Sequence, residues 1–290
     1  MREKPAMTSV PPTEESSFDG RHHVESMLMR ESLLDKKVMS ATETPVVPML
    51  PFCHVVKVGG RSILDRGKRA VYPLVEALRG VLGKYKLVIA TGGGIRSRHV
   101  TSIAMDLGLP TGVLAQLRII DALGNAHMLG TLLAPQGVVA IPPEILGHML
   151  PFFIKSAPGV ICNGDPPFSL WEHPPRVGRI PPHRTDAGSF LLAECYGCAT
   201  HTLIKDVDGL YDADPKTNPH AAIIKDITVG ELKARNLPTL PFDRVLIDLL
   251  ACARQVKQLQ IINGLKPHLL ESALRGEHVG TIVRKDGPSS

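Results

Sequence analysis

The chain has 290 residues, of which 43% are hydrophobic and 21% charged, and its formal net charge is +5. This composition is typical of a folded globular protein; it excludes disorder over the whole length, and no apolar run is long enough for a membrane span. The five cysteines and the absence of an apolar N-terminal segment predict a cytoplasmic protein with reduced thiols.

The chain is predicted to divide into an N-terminal arm, residues 1–50, and an α/β domain, residues 51–290. The arm is polar and contains prolines near both ends, as expected for a segment outside a hydrophobic core. Residues 24–34 carry a short helical stripe of apolar side chains. This stripe predicts a helix that packs either on its own domain or on a neighbouring subunit.

From residue 53 onward, strand-like and helix-like patterns alternate. The predicted strands are 53–58, 86–91, 137–141, 159–162, 200–205, 258–262 and 281–284. The predicted helices are 66–82, 96–107, 112–134, 186–197, 229–236, 243–255 and 267–275. This alternation predicts a mostly parallel sheet with helices on both faces. Such sheets bind ligands at the carboxyl ends of their strands.

A proline-rich region interrupts the alternation between residues 135 and 182, where 11 of 48 residues are proline. Proline fixes φ and removes a backbone donor, so residues 165–184 are predicted to form a stiff, extended loop. Phe168 and Trp171 within it favour an ordered loop, and long ordered loops in compact domains are usually functional.

Positive charge is concentrated between Lys57 and Arg98, where ten Lys and Arg residues face two acidic ones, a window of +8. Nucleic-acid binding would favour basic side chains interleaved with aromatic ones. Aromatic residues make up only 4% of the chain. The window therefore indicates a site for small oxoanions and argues against nucleic acid as a partner.

Two glycine clusters follow predicted strands inside this window, at 59–60 and 92–94. Consecutive backbone N–H groups at such loops converge on an anion, and the N-terminus of the following helix attracts it further. Arg96 and Arg98 add guanidinium groups that suit tetrahedral oxoanions. Neither the Walker spacing nor the dinucleotide spacing is present. The candidate phosphate-binding residues are Lys57, Gly59, Gly60, Gly92, Gly93, Gly94 and Arg96.

Two acidic elements accompany the glycine loops. Asp186 opens a predicted helix, where it is either a charge on the helix dipole or a group that orients a lysine or a metal near phosphates. The turn at 206–214 carries four aspartates, which either hold Mg²⁺ through oxygen ligation or simply face solvent. The spacing alone leaves both alternatives open.

These motifs resemble those of the amino-acid kinase superfamily, which includes the uridylate kinases, and they occur in the same order along the chain. The similarity is greater to the molybdenum storage proteins and extends from about residue 50 to 284; at 28–33 the arm is similar to their β-type subunit. The segments that carry this resemblance are 55–60, 65–67, 72–75, 96–99, 106–110, 180–186, 261–265 and 276–281.

The resemblance implies a three-layer αβα sandwich and a hexameric cage of homologous subunits, homo- or hetero-oligomeric. It implies that ATP with Mg²⁺ drives molybdate or tungstate into polynuclear oxide clusters. Lys57 and Asp186 would act at the transferred phosphate. The implied nucleotide-binding residues are Lys57, Gly59, Gly60, Gly92, Gly93, Gly94, Lys205, Asp208, Gly209, Tyr211, Asp214 and Pro241.

In a chain of this resemblance, histidines near the proline-rich region are candidate ligands of the oxide cluster. These are His127, His148, His173 and His183. The chain lacks most of the histidine run that one storage subunit type carries after its Pro-Pro-aromatic turn. His127 matches a histidine of the α-type subunit, so the chain combines features of both types.

Two further functions remain open at the level of sequence. One is a uridylate-kinase-like transfer of phosphate from ATP to UMP, although Asp206 stands where those kinases place a lysine. The other is an ATP-dependent regulatory or scaffold subunit. Cys195 and Cys198 form a C-x-x-C pair without a second pair for zinc, which predicts buried, reduced thiols.

Overall fold

A computed structural model of the protein describes residues 46–215 and 217–287. Ten strands lie in this part of the chain: β1 Cys53–Val58, β2 Lys86–Thr91, β3 Val139–Ala140, β4 Gly159–Asn163, β5 Thr200–Lys205, β6 Leu210–Tyr211, β7 Ile223–Ile224, β8 Asp226–Thr228, β9 Gln258–Asn263 and β10 Thr281–Arg284. The α-helices of the same part are α1 Lys68–Leu82, α2 Gly94–Asp106, α3 Thr111–Leu133, α4 Pro143–Ser156, α5 Thr185–Tyr196, α6 Val229–Arg235, α7 Leu246–Cys252 and α8 Leu269–Leu274.

Eight of the strands form one sheet in the order β3-β4-β2-β1-β5-β9-β10-β8. Every neighbouring pair is parallel except β9 and β10, which are antiparallel. The central β1 pairs with β2 on one side and with β5 on the other. The mostly parallel sheet predicted from the alternating pattern is therefore confirmed, and the carboxyl ends of β4, β2, β1, β5 and β9 meet at one edge.

Helices cover both faces of this sheet and bury a separate hydrophobic core on each. One core contains residues of α4, α5, α6 and α7, and the other contains residues of α1, α3 and α8. Successive side chains of a strand point to opposite faces, so Cys53 and Val55 enter the first core while Val56 and Val58 enter the second. The same alternation places Lys57 on the face that α5 covers.

The seven predicted strands and seven predicted helices are all present, with ends that differ by up to three residues. The sequence analysis missed α4 and the short strands β6, β7 and β8. Three strands of two or three residues give too little periodicity to detect. The prolines in α4 hid its helical pattern, although proline is tolerated in the first turn of a helix.

Pro151 lies inside α4 and cannot donate to the carbonyl of Gly147 four residues earlier. The hydroxyl of Tyr196, at the end of α5, donates to that carbonyl at 2.8 Å. The acceptor that the proline leaves without its helical partner is thus satisfied by a neighbouring helix, and α4 continues to Ser156.

The segment at 165–184 contains no strand or α-helix, only a short 3₁₀ turn at Ser169–Trp171. Its middle carries exposed apolar side chains, with Trp171 83% and Val177 89% exposed. Arg179 anchors the segment to the end of α2 by donating to the carbonyl of Met105 at 2.5 Å. We call residues 165–184 the proline loop.

The helix predicted at 24–34 lies outside the described residues. The last residues of the predicted arm are described and attach to the domain, because the amides of Met49 and Leu50 both donate to the carbonyl of Tyr196. All five cysteines are free thiols. Cys198 is buried as predicted, whereas Cys195 is exposed, so the prediction that both are buried is wrong. Within the described residues, no helix combines the length and apolar character needed to cross a membrane.

Candidate anion-binding site at the carboxyl edge of the sheet

A cavity of about 610 Å³ opens at the carboxyl ends of β2, β1 and β5. Six cationic side chains line it, together with four carboxylates, which gives a net lining charge of +2. The cations are Lys57, Arg61, Arg98, Arg118, Arg184 and Lys205, and the carboxylates are Asp186, Asp206, Asp214 and Asp243. An excess of positive charge in a concave site favours an anionic ligand.

The two glycine loops contact each other on the wall of this cavity. Val58 at the end of β1 pairs with Thr91 at the end of β2, so residues 59–60 and 92–94 leave the sheet side by side. A Cβ atom at Gly60 would lie 2.3 Å from the amide nitrogen of Gly94 and 2.6 Å from the carbonyl oxygen of Gly92. Only glycine lets these two backbones approach so closely.

Two lysines enclose the carboxylate of Asp186. Lys57 Nζ lies 2.5 Å from Asp186 Oδ1, and Lys205 Nζ lies 2.7 Å from Asp186 Oδ2. Both lysines lie on the α5 face of the sheet, on neighbouring parallel strands, while Asp186 lies in the first turn of α5. All three side chains are nearly inaccessible to solvent. The group carries a net charge of +1 beside the glycine loops.

Burial and charge act in opposite directions on this group. Burial alone would raise the pKa of Asp186, but the ammonium groups of Lys205 and Lys57 hold that pKa well below its usual range. Burial lowers the pKa of Lys205 to about 8, with Asp186 opposing the shift and Lys57 reinforcing it. At neutral pH the carboxylate is therefore ionised and Lys205 is mostly charged.

Four arginines form a second positive region of the cavity, which we call the arginine cluster: Arg61, Arg98, Arg118 and Arg184. Burial lowers the pKa of Arg98, and the charges of the other three lower it further. Burial likewise lowers the pKa of Arg118, which lies in the middle of α3. Mutually repelling guanidinium groups at one site are favourable when an anion neutralises them.

Asp243 ties the segment before α7 to the start of α5. Its Oδ2 atom accepts hydrogen bonds from the backbone amides of Asp186 at 3.1 Å and Ala187 at 3.3 Å. Its Oδ1 atom pairs with Arg184 at 2.7 Å. Since amides of the first helical turn have no partner inside the helix, Asp243 caps α5 and thereby positions Asp186. Pro241, in the same segment, also lines the cavity.

Most of the predicted catalytic and nucleotide-binding residues line the cavity. Those that do are Lys57, Gly59, Gly60, Gly92, Gly93, Gly94, Asp186, Lys205, Gly209, Tyr211, Asp214 and Pro241. Arg96 is not on the lining; its guanidinium group donates to Asn125 at 2.6 Å, and Asn125 donates to the carbonyl of Gly92. Arg96 thus supports the second glycine loop from behind.

The aspartates of the turn at 206–214 do not converge as the ligands of one cation would. Asp206 pairs with Arg66 at 2.6 Å, and Asp208, which is not on the cavity lining, pairs with Lys266 at 2.6 Å. Asp212 accepts the amide of Ala222. Asp206, Asp208 and Asp212 thus make separate contacts with three different partners.

The four histidines predicted as cluster ligands lie in three different places. His127 is exposed on α3 and His148 is exposed on α4. His173 and His183 lie together on the proline loop, with ring centroids 5.7 Å apart. The buried carboxylate of Glu172, which the sequence analysis did not select, lies beside them.

Sequence reasoning also missed Arg118, Asp165 and Asp243. Arg118 could have been found, since it is a cation inside an otherwise apolar stretch of a predicted helix. Asp243 was assigned to a predicted helix that in fact begins at Leu246. Asp165 is half-buried beside the arginine cluster, and desolvation raises its pKa to about 6.

Comparison with known proteins identifies relatives of this chain. A family model described as the amino acid kinase family matches residues 156–263. The chain is 45% identical over 261 residues to the molybdenum storage protein subunit beta of Azotobacter vinelandii, covering 90% of this chain and 96% of that protein. It is 28% identical to the uridylate kinase of Staphylothermus marinus, covering 79% of this chain and 97% of the relative.

Solved structures of uridylate kinases share the fold. The enzyme from Archaeoglobus fulgidus superposes with a TM-score of 0.61 at 22% identity, covering 79% of this chain and 99% of that chain. UMP kinase from Ureaplasma parvum gives a TM-score of 0.62 at 21% identity, covering 82% and 100%. At these identities the likeness establishes the architecture, the three-layer αβα sandwich of the amino-acid kinase fold.

Proposed function

The chain belongs to the molybdenum storage branch of the amino acid kinase family, and from this premise we propose that it stores molybdenum or tungsten as polynuclear oxide clusters in an ATP-dependent process. The observation that carries the proposal is the cavity with two adjoining positive regions. The first is the lysine pair with the glycine loops, and the second is the arginine cluster.

The first region suits the polyphosphate of ATP. The two glycine loops line the cavity. The amides of Gly59 and Gly92 already donate to backbone carbonyls, so the remaining loop amides, those of Gly60, Gly93 and Gly94, would be the ones to cradle phosphate oxygens. Lys57 and Lys205 neutralise the charge of the terminal phosphate, and Asp186 holds both ammonium groups in position. Phosphoryl chemistry depends mainly on such positioning and charge stabilisation.

Magnesium enters this scheme with the nucleotide. In the turn at 206–214, Asp206 pairs with Arg66 and Asp208 pairs with Lys266, so Mg²⁺ is proposed to bind chiefly to phosphate oxygens of ATP. Bound there, it neutralises charge on the β- and γ-phosphates. The chain's own contribution is to orient the phosphates and to hold the side chains of Lys57 and Lys205 beside them.

The second region suits a tetrahedral oxoanion. Guanidinium groups bind such anions through paired N–H donors, and the arginine cluster brings four of them to one cavity. Molybdate and tungstate are tetrahedral dianions that fit this chemistry. Binding them beside the terminal phosphate would couple nucleotide hydrolysis to their delivery into a growing oxide cluster.

Storage of a polynuclear cluster also requires an enclosed space, which we propose is a hexamer of homologous subunits. The packed helices α2 and α3 support this, because they expose a set of large apolar side chains. The set is Ile95, Ile103, Ile120 and Met128, together with Leu107 directly after α2. Large apolar side chains left exposed on neighbouring helices are candidates for contacts between subunits.

The alternative function is phosphoryl transfer from ATP to UMP. It is favoured by the sequence identity to uridylate kinases and by the same cavity, in which the arginine cluster would hold the phosphate of the acceptor. The two functions differ in what the arginine cluster binds, and they can be separated directly.

The separating experiment incubates the purified protein with ATP, Mg²⁺ and molybdate, removes small molecules by desalting, and measures molybdenum per chain. Storage predicts several molybdenum atoms per chain, and Lys57→Ala should lose this retention because the terminal phosphate loses a cation. Lys68→Ala serves as control, since Lys68 is exposed on α1 outside the cavity. UMP phosphorylation is assayed in parallel.

Retention of one molybdenum atom or fewer, together with UMP turnover, would overturn the storage proposal in favour of the kinase. If neither activity is found, the assay is repeated with a homologous subunit added as partner. Continued absence of both activities in that mixture also rejects storage.

A further inference from the structure

Three potential metal ligands meet on the proline loop, outside the lining of the anion-binding cavity. One ligand atom each from Glu172, His173 and His183 lies within 4.8 Å of the other two. Glu172 Oε1 and His183 Nδ1 are 3.1 Å apart. Ligands bound to one tetrahedral zinc ion at about 2.0–2.2 Å lie about 3.3 Å from each other, so this pair already has nearly the required separation.

The buried carboxylate of Glu172 would be stabilised by a cation. The side chain of Glu172 is 1% exposed, and an ionised carboxylate is costly to bury unless it is paired. Within the described residues, its ion-pair partner is His183, which carries a positive charge only when protonated. A bound metal cation would supply permanent positive charge at the place where a proton now stands between Glu172 and His183.

The hydrogen bonds around the group orient its ligand atoms. The backbone amide of His183 donates to Glu172 Oε2 at 3.2 Å, which leaves Oε1 directed at the His183 ring. His173 Nδ1 lies 3.2 Å from the carbonyl of Pro174. Because a carbonyl can only accept, the proton is on Nδ1, and Nε2 keeps the lone pair that binds a metal.

We propose that Glu172, His173 and His183 form a binding site for one divalent transition-metal cation, with Zn²⁺ as the best match to two imidazoles and a carboxylate. Three protein ligands leave a fourth tetrahedral position for water. The exposed ring of His173 has the freedom to close the remaining distance. Binding displaces the proton from His183 Nδ1 to solvent and involves no change in oxidation state.

The buried carboxylate distinguishes this site from an anchor for an oxide cluster. Molybdate and its oligomers are anions, and Glu172 would repel them at short range, whereas it attracts Zn²⁺. The site would also act as a clasp, because residues 172–173 and 183 bracket the proline-rich stretch that leads to Arg184 and Asp186. A metal that joins residues 172–173 to residue 183 would fix the position of the start of α5 relative to the cavity.

The test uses the full chain, freed of metal by a chelator, with neither ATP nor molybdate present. Co²⁺ is added first as the spectroscopic probe. Zn²⁺ is then titrated into the cobalt-loaded protein. We expect one Co²⁺ per chain with the visible absorption of tetrahedral coordination, displaced by Zn²⁺ that binds with a Kd tighter than about 1 µM. Zinc should also raise the thermal unfolding temperature.

Glu172→Gln and His173→Ala should each weaken zinc binding by about tenfold or more, since loss of even a supporting group costs a metal site about that much. His268→Ala removes an exposed histidine elsewhere and should change nothing. His173 is exposed, so its replacement tests the site even if Glu172→Gln fails to fold.

Two results would overturn the proposal. One is zinc affinity that is the same in wild type, His173→Ala and Glu172→Gln, which would mean scattered surface binding. The other is the absence of cobalt and zinc binding by the wild-type chain. If Glu172→Gln and His173→Ala then also lose molybdate retention, the group is assigned to an oxide cluster instead.

Discussion

Side chains that alternate between the two faces of a strand build the charged site formed by Lys57, Asp186 and Lys205. Lys57 and Lys205 end neighbouring parallel strands and point to the same face, where α5 presents Asp186. Each lysine alone would be costly to bury. Enclosing one carboxylate reduces that cost and still leaves one positive charge for an anion at the edge of the sheet.

The surroundings of the Asp165 carboxyl group oppose its ionisation. Burial raises its pKa from 3.8 to about 6, with Asp243 contributing, while Arg118, Lys57 and Arg184 oppose the shift. One of its oxygens, Oδ2, is buried without a hydrogen-bond partner. The folded state therefore holds a proton on Asp165 more tightly than the unfolded state does.

Asp165→Asn is predicted to raise the free energy of unfolding above that of wild type by more at pH 8 than at pH 4. Because the folded protein binds this proton more tightly, the protonated carboxyl stabilises the fold at pH values below 3.8, the pKa in the unfolded chain. That stabilisation is lost as the pH rises through about 6, the pKa in the folded protein. A shift of about two units corresponds to about 2–3 kcal/mol, and the amide, which resembles the protonated acid, avoids this loss.

The measurement is urea unfolding of both proteins at the two pH values. The difference in unfolding free energy between Asp165→Asn and wild type should be larger at pH 8 by about that amount. An equal difference at both pH values would mean that Asp165 titrates normally in the folded protein.

At the scale of elements, the site depends on the close approach of two turns. The loops at 59–60 and 92–94 touch through their backbones. Gly60→Ala is predicted to abolish nucleotide binding, because the new Cβ would lie 2.3 Å from the Gly94 nitrogen and force the loops apart. Stability should fall by about 1–3 kcal/mol, the usual cost of overpacking.

Gly80→Ala is the matched control, since Gly80 is exposed in α1 and a Cβ there meets nothing within 4 Å. Alanine favours helix over glycine by about 0.5–1 kcal/mol, so this variant should gain stability and bind nucleotide as wild type does. Both properties are measured by calorimetry. Normal nucleotide affinity in Gly60→Ala would show that the loops need not touch.

At the scale of the whole molecule, the exposed apolar side chains of α2 and α3 are predicted to lie between subunits. Ile120→Glu places a charge in that surface, and burying an unpaired charge is costly. We expect the variant to have a lower mass by light scattering than wild type, with unchanged secondary structure by circular dichroism. An unchanged mass would place the subunit contacts elsewhere.

Local sequence patterns were sufficient to predict the architecture and the position of the site along it. Alternating strand and helix periodicity is a local property, and it predicted seven of the eight strands of the main sheet either fully or in part. The glycine loops follow β1 and β2 directly, so the rule that parallel sheets bind ligands at strand ends located the cavity from residues adjacent in sequence.

The tertiary structure alone decided which side chains meet. Arg118 on α3, Asp165 after β4 and Asp243 before α7 reach one cavity or its edge from distant segments, and no local pattern records such distances. His127 and His173 looked equivalent in sequence, yet only His173 lies beside His183 and Glu172. The reason is physical: strand and helix follow from short-range periodicity, whereas charge pairing and ligand geometry depend on how separate elements pack.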